Sequence, residues 1–319
     1  MEGWTNVHTK INLNVLSLEK TSTIFGKTTL IFVKDKSSKD EGDDGYYAKT
    51  DKVVYCTLNC RQCKIISASV QGLKTTLTYS DYLGTNDKPI VPEDYKDLDA
   101  FDIRYRQKTS ASERNCELVI AIPMSAFETE DSNIYDKTDT GTKVFDSKTT
   151  KRLAVEVEYE MKDYLFGLHC GHYVQNGNNS NIVNSVESKH VYTFNDPLTS
   201  GSIRGGGFGA RTWLPCVDNL MNRSTYDINI NVAEHLIPIC PGKLISKKKS
   251  KFPQNIFDTL DKNAKNNDDH QNLQSIAYRY QVDIPIPVYC LGVTIGEYEI
   301  IPDTEMPKRI TTFVPKTSV

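Results

Sequence analysis

A period of two in the apolar pattern recurs along this chain and confines it to β architecture. Leu153, Val155, Val157, Tyr159 and Met161 alternate with Ala154, Glu156, Glu158 and Glu160. Tyr226, Ile228, Ile230 and Val232 alternate with Thr225, Asp227, Asn229 and Asn231. Ile276, Tyr278, Tyr280, Val282 and Ile284 do the same against Ala277, Arg279, Gln281 and Asp283. Successive side chains of a strand point to opposite faces, so each run puts one face in a core and the other in water, as antiparallel sheets do. Val7, Ile11, Leu13 and Val15 follow the same rule until Leu16 and Leu18 shift parity, which predicts a bulge or a strand end at Val15. Further strands are predicted at 28–33, 53–58, 64–70, 118–123, 165–174, 189–194, 289–301 and 310–314. Helical periodicity is thin: one turn at 124–128 and a short surface helix at 254–262. Strands do not alternate with amphipathic helices, which argues against a parallel α/β sheet and for an all-β sandwich.

Between these runs lie stretches rich in Asp, Asn, Ser, Lys and Gly, near 34–46, 88–102, 128–150, 175–188, 197–209 and 261–274. They hold few bulky apolar residues to offset the entropy of ordering and are expected to be mobile insertions in one β domain spanning 1–319. Residues 303–319 are read as the start of a following domain. The N-terminus lacks the basic and apolar regions of a signal peptide. The apolar stretch 282–301 is broken by Asp283, Pro285, Pro287 and Glu297, so no membrane span is expected. Two matches to the glycosylation sequon, at Asn178 and Asn222, are set aside without a secretion signal.

The net charge is −3, from 38 basic and 41 acidic residues. A general nucleic-acid binder needs a basic excess to neutralise phosphates. The one candidate patch is Lys247, Lys248, Lys249 and Lys251, read as a solvated loop, with a nuclear-import signal as the next choice. The eight cysteines are irregularly spaced in a long chain and are read as reduced thiols acting as small core residues.

Three constellations invite a chemical reading. Cys56, Cys60 and Cys63 have the spacing of an iron–sulfur motif, but that motif belongs to a βα barrel, and no second ligand pair stands at zinc-finger spacing. His169, Cys170 and His172, with His190 downstream, would project from both faces of a strand, a poor geometry for one ion. The glycines at 205, 206, 207 and 209 are followed by no helix whose N-terminus would bind a phosphate. Neither H-E-x-x-H nor G-x-S-x-G is present. No catalytic residue, metal ligand or cofactor is therefore assigned, and the chain by itself is not expected to be an enzyme.

Ala210-Arg211-Thr212-Trp213-Leu214-Pro215-Cys216-Val217-Asp218 resembles the A-R-x-[FW]-[FL]-P-C-x-D signature of the N-terminal domain of zinc aminopeptidases. The run from Pro285 to Glu299 resembles the closing strand pair of that domain. Within the family, the aminopeptidase-like TFIID subunit 2 group is more similar still. Cys60-Arg61-Gln62-Cys63-Lys64-Ile65 looks like its S-K-Q-C-R-I segment, and Phe166-Gly167-Leu168-His169 like its G-G-L-H-F run. The Asn219 that follows Asp218 is similar to its V-D-S, where active enzymes continue Asp-Glu-Pro. The resemblance implies an antiparallel β-sandwich with a curved, saddle-like sheet. It also implies a noncatalytic scaffold role in a nuclear transcription-initiation complex. The implied partners are other TFIID subunits, with promoter DNA close by and only weakly bound from this domain; the chain is expected to be a monomer. The alternatives are the N-terminal domain of an active zinc aminopeptidase and an unrelated β-sandwich binding module. The Gln or Glu that active members place upstream of the signature has no clear counterpart around His190–Asp196, and none is carried over. Arg211, Trp213, Pro215, Cys216 and Asp218 are expected to be structural: Trp213, Leu214 and Cys216 as core, Arg211 and Asp218 as a charge pair or turn cap.

Overall fold

The computed structural model describes residues 3–18, 23–34, 54–79, 116–127, 151–162, 168–175, 186–193, 209–253, 256, 274–306 and 311–316; at 169–175 and 186–189 only the backbone is described. The insertions expected near 88–102 and 128–150 lie outside these residues, as does most of those near 34–46, 197–209 and 261–274. The expected 175–188 insertion is shorter, because strands claim residue 175 at one end and residues 186–188 at the other.

The largest unit is an eight-stranded sheet. Its strands are β1 (Trp4–Val15), β2 (Ile24–Lys34), β4 (Lys64–Val70), β5 (Leu73–Lys74), β8 (Arg152–Met161), β11 (Ser224–Ala233), β13 (Lys243–Lys251) and β14 (Gln274–Ile286), in the order β13-β14-β11-β1-β2-β8-β4-β5. All its pairings are antiparallel except β1 with β11, which is parallel. Three smaller antiparallel sheets complete the fold. One joins β3 (Val54–Leu58), β7 (Leu118–Ile122) and β6 (Leu77–Tyr79). A second joins β12 (Ile237–Ile239), β15 (Thr294–Gly296), β10 (Val186–Thr193) and β9 (Leu168–Gln175). The third pairs β16 (Tyr298–Pro302) with β17 (Thr311–Pro315).

The period-two runs explain the layers. Ile11, Leu13, Leu30, Val155, Val157, Ile228, Ile230 and Tyr278 line the inner face of the large sheet. They join Cys56, Leu58, Leu118, Ile120, Val191 and Ile295 of the smaller sheets in one buried cluster. Each such side chain contributes about 1.5–3 kcal/mol by leaving water. The outer face is bound by polar rungs: Asn229 Nδ2 donates to Asn12 Oδ1 at 3.1 Å, and Asn231 Nδ2 to Asn14 Oδ1 at 3.2 Å. Lys27 meets Glu156 at 2.6 Å, and Lys64 meets Glu160 at 2.6 Å.

β1 ends at Val15, as the parity shift predicts, and a separate register slip lies between Asn6 and His8. Two details differ from expectation. The segment predicted as one strand at 289–301 breaks into a 3-10 turn at Val288–Cys290 followed by β15 and β16, because Pro287 and Gly292 interrupt it. Lys247–Lys251 is no loop: it forms the C-terminal half of β13, its place set by pairing with β14 rather than by any apolar alternation of its own. The turn expected at 124–128 is a 3-10 turn over Met124–Phe127, and of the helix expected at 254–262 only Ile256 is described, as helical. Among the described residues no helix is long and apolar enough to cross a membrane.

Candidate functional site

The signature segment opens with a 3-10 turn over Ala210–Thr212, where the Thr212 and Trp213 amides return to the Gly209 and Ala210 carbonyls. The turn drops Trp213 and Leu214 inward, at 3% and 0% exposure, and Pro215 and Cys216 are buried beside them. The chain then bridges to the segment after β3: the Asn59 amide donates to Cys216 O at 2.8 Å, and the Cys216 amide to Asn59 O at 2.9 Å. Two further bonds fasten the same segments, from the Arg61 amide to Arg211 O at 2.7 Å and from Gln62 Nε2 to Thr212 O at 2.9 Å. Gln62 takes φ 48°, a left-handed backbone uncommon for a residue with a Cβ, and the turn it makes aims its amide at that carbonyl. The two stretches singled out in the sequence, Cys60–Ile65 and Ala210–Asp218, are thus one packed unit.

Its centre is Glu117, at the entry to β7 and 1% exposed. Glu117 Oε1 accepts from Arg61 Nε at 3.2 Å and Arg211 Nη1 at 3.4 Å; Oε2 accepts from the Cys60 amide at 3.2 Å and Asn59 Nδ2 at 3.3 Å. Arg211 also donates from Nε to Asp218 Oδ2 at 2.5 Å, and the Asp218 amide donates to Asn59 Oδ1 at 3.1 Å. Burial alone would push the Arg211 guanidinium down, but the Asp218 and Glu117 carboxylates outweigh it and hold its pKa above the ordinary value. A carboxylate offers about four lone-pair sites, and Glu117 receives four donors. The arrangement is a clamp: its charged groups bond to each other and to backbone groups.

Arg211 and Asp218 are a charge pair, and Trp213, Pro215 and Cys216 are core; the structure brings all five together. Sequence reasoning missed Glu117 and Asn59, and it singled out Arg61 only within the Cys60–Ile65 stretch, with no role. No local pattern ties Glu117 to the arginines, because it stands 56 residues from Arg61 and 94 from Arg211.

The thiols cluster beneath the clamp. Cys56, Cys60 and Cys63 are each 0% exposed and Cys216 is 2%. Burial pushes the Cys56 thiol up to about 12; burial, and then the neighbouring Cys63, raise Cys60, and burial raises Cys216. Thiols held protonated are poor nucleophiles and poor metal ligands. Among the described residues no group of three or more His, Cys, Asp or Glu is placed to hold a metal ion. The backbones of His169, Cys170 and His172 lie on β9, opposite Tyr192, Val191 and Lys189 of β10, and His190 faces Gly171 with its ring stacked on Tyr192 at 5.3 Å. Of the glycine run only Gly209 is described, capping the 3-10 turn.

No family model matches the chain. It is 24% identical over 126 residues to transcription initiation factor TFIID subunit 2 of Caenorhabditis elegans, an alignment covering 40% of this chain and 9% of that protein. The structure matches native leukotriene A4 hydrolase from Saccharomyces cerevisiae with a TM-score of 0.51 at 15% identity, over 98% of this chain and 31% of that one. It matches the M1 zinc metallopeptidase of Deinococcus radiodurans with a TM-score of 0.47 at 12% identity, over 98% of this chain and 47% of that one. The chain therefore spans less than half of each of these proteins. The fold is that of the N-terminal β domain of such aminopeptidases.

Proposed function

We propose that this chain is a noncatalytic scaffold domain of an aminopeptidase-like TFIID subunit, acting in the nucleus in RNA polymerase II transcription initiation by holding other TFIID subunits. The observation that carries the reading is the 126-residue likeness to TFIID subunit 2. It is supported by Asn219 after Asp218, at the place where active enzymes continue Asp-Glu-Pro. A net charge of −3 favours protein over DNA as the main partner. The likeness in fold to leukotriene A4 hydrolase favours a second reading, the N-terminal domain of an active zinc aminopeptidase.

One purification separates the two. The full-length gene product, tagged and recovered from nuclear extract, is analysed by mass spectrometry and assayed on fluorogenic aminoacyl substrates with and without added zinc. Recovery of TFIID subunits with no peptidase activity is the expected result. Zinc-dependent hydrolysis without those subunits overturns it in favour of the enzyme.

A further inference from the structure

Among the described residues, β13 is the outermost strand of the large sheet and pairs only with β14. Its nine residues carry five exposed lysines, Lys243, Lys247, Lys248, Lys249 and Lys251. Directly opposed residues share a face of a sheet. Lys247 opposes Tyr278 and Lys249 opposes Ile276, both buried on the inner face, whereas Lys248 opposes Ala277 on the other side. The ammonium groups therefore flank the strand's outer backbone from both faces, and Lys247 Nζ is held 5.2 Å above the Tyr278 ring.

The same sheet shows how it treats lysines elsewhere. Lys27 of β2 and Lys64 of β4 are each neutralised by glutamates of β8, where Glu156, Glu158 and Glu160 alternate with Val155, Val157 and Tyr159. Among the described residues none of the β13 lysines forms such a pair, and no strand lies beyond them to supply the carboxylates. A lysine-lined edge repels basic strands and makes pairing with a neutral one costly, since the ammonium groups would lose water without gaining a counter-charge, which protects a sheet from aggregation. It does not repel an acidic one. An added strand with carboxylates at every second position would repeat them about every 6.6–6.8 Å, the spacing of the lysines it would face.

We propose that β13 is a docking edge for an extended acidic segment of a partner protein, taken up as an additional strand by main-chain hydrogen bonds and fixed by the flanking lysines. Lysines on both faces of a flat ribbon suit a strand lying in the sheet plane; a DNA duplex would rest against one face. The inference stands on charge and register alone, independently of the TFIID reading.

The test uses the purified 319-residue chain and a fluorescein-labelled peptide of alternating Glu and Val or Tyr, read by anisotropy at about 50 and 150 mM salt. The expected result is saturable binding weakened at least about tenfold by K247E/K249E/K251E. Amide exchange along β13 should also slow in the complex. K247Q/K249Q/K251Q, with an unchanged melting temperature, serves if the reversed variant fails to fold. Absence of binding, equal affinity for the Lys-for-Glu peptide, or binding without slowed β13 exchange each overturns the proposal. A duplex DNA that binds more tightly than the peptide and is lost in the same variants also overturns it, making the strand a nucleic-acid surface. Because no TFIID component enters the assay, its failure leaves the scaffold reading to its own purification test.

Discussion

At the scale of single residues, Glu117 governs the signature region because it is the acceptor that two guanidiniums, one amide side chain and one backbone amide share. Removing one partner of a buried ion pair strands the other, at about 3–5 kcal/mol. Against total stabilities of about 5–15 kcal/mol, Glu117→Ala is expected to lower the denaturation midpoint severely. Replacing both partners, as E117L/R61L, should recover part of the loss, since well-packed apolar pairs often substitute for buried charges. Chemical denaturation of the three chains checks this, and a double variant weaker than the single one would refute it. His8 makes a pH-dependent contribution. Its Nδ1 lies 2.8 Å from Thr225 Oγ1, and burial lowers its pKa, with Asp227 raising it and Lys10 lowering it further. The folded state then binds fewer protons than the unfolded state, whose His titrates near about 6.5. Stability conferred by neutral His8 is present above that value and declines as pH falls below it. His8→Gln should flatten the melting temperature of the chain between about pH 5 and 7; an unaltered slope would show that His8 does not carry it.

At the scale of elements, close packing inside strand pairs fixes residues that propensity alone would not choose. Gly26 interrupts β2, where a β-branched residue would ordinarily be favoured. It opposes Tyr159 of β8, and a Cβ on it would stand 2.2 Å from the Tyr159 ring. Gly26→Ala is therefore expected to destabilise by about 1–3 kcal/mol or more through overpacking, and Tyr159→Leu should rescue it in the double variant. Additive losses would show that the ring is not what excludes the side chain. The β4–β5 hairpin uses the same economy: Gln71 and Gly72 take φ 50° and 77°, the two positive angles of a type I′ turn whose twist matches its strands. Strands such as β8, β11 and β14 were legible because burial on one face writes the period into their residues. β13 was not, since an edge strand half clear of the core has no apolar face to write, and its lysines read locally as a solvated loop. The clamp was legible only in part. Arg211 and Asp218 are seven residues apart and could be paired by eye, whereas Glu117 reaches them only through the tertiary fold.

At the scale of the whole molecule, one buried cluster draws on three of the four described sheets, all but the β16–β17 ribbon, and the cysteines sort by their burial. Cys56, Cys60, Cys63 and Cys216 are buried, Cys116 and Cys240 half-buried, and Cys290 exposed. Thiol titration should therefore find Cys290 fast and those four unreactive until the chain unfolds, after which the count should approach eight without reductant. A denatured count near zero would mean disulfides, and with them an oxidising compartment incompatible with a nuclear role. The net charge of −3 bears on the same question, and among the described residues the lysine-rich edge is one strand, β13.

The parallel pairing of β1 with β11 sets the order in which this molecule can be made. His8 and Thr225 touch across 217 residues, and β1 sits in the middle of the sheet between β2 and β11. During synthesis at about 5–20 residues per second, the first strand waits roughly 10–40 s for its second neighbour. Until then its inner edge, with Ile11, Leu13 and Val15 beside it, stands open on the nascent chain. β1 is thus the keystone of the sheet, set early and locked late, and deleting Trp4–Val15 would leave two half-sheets with no strand to join them.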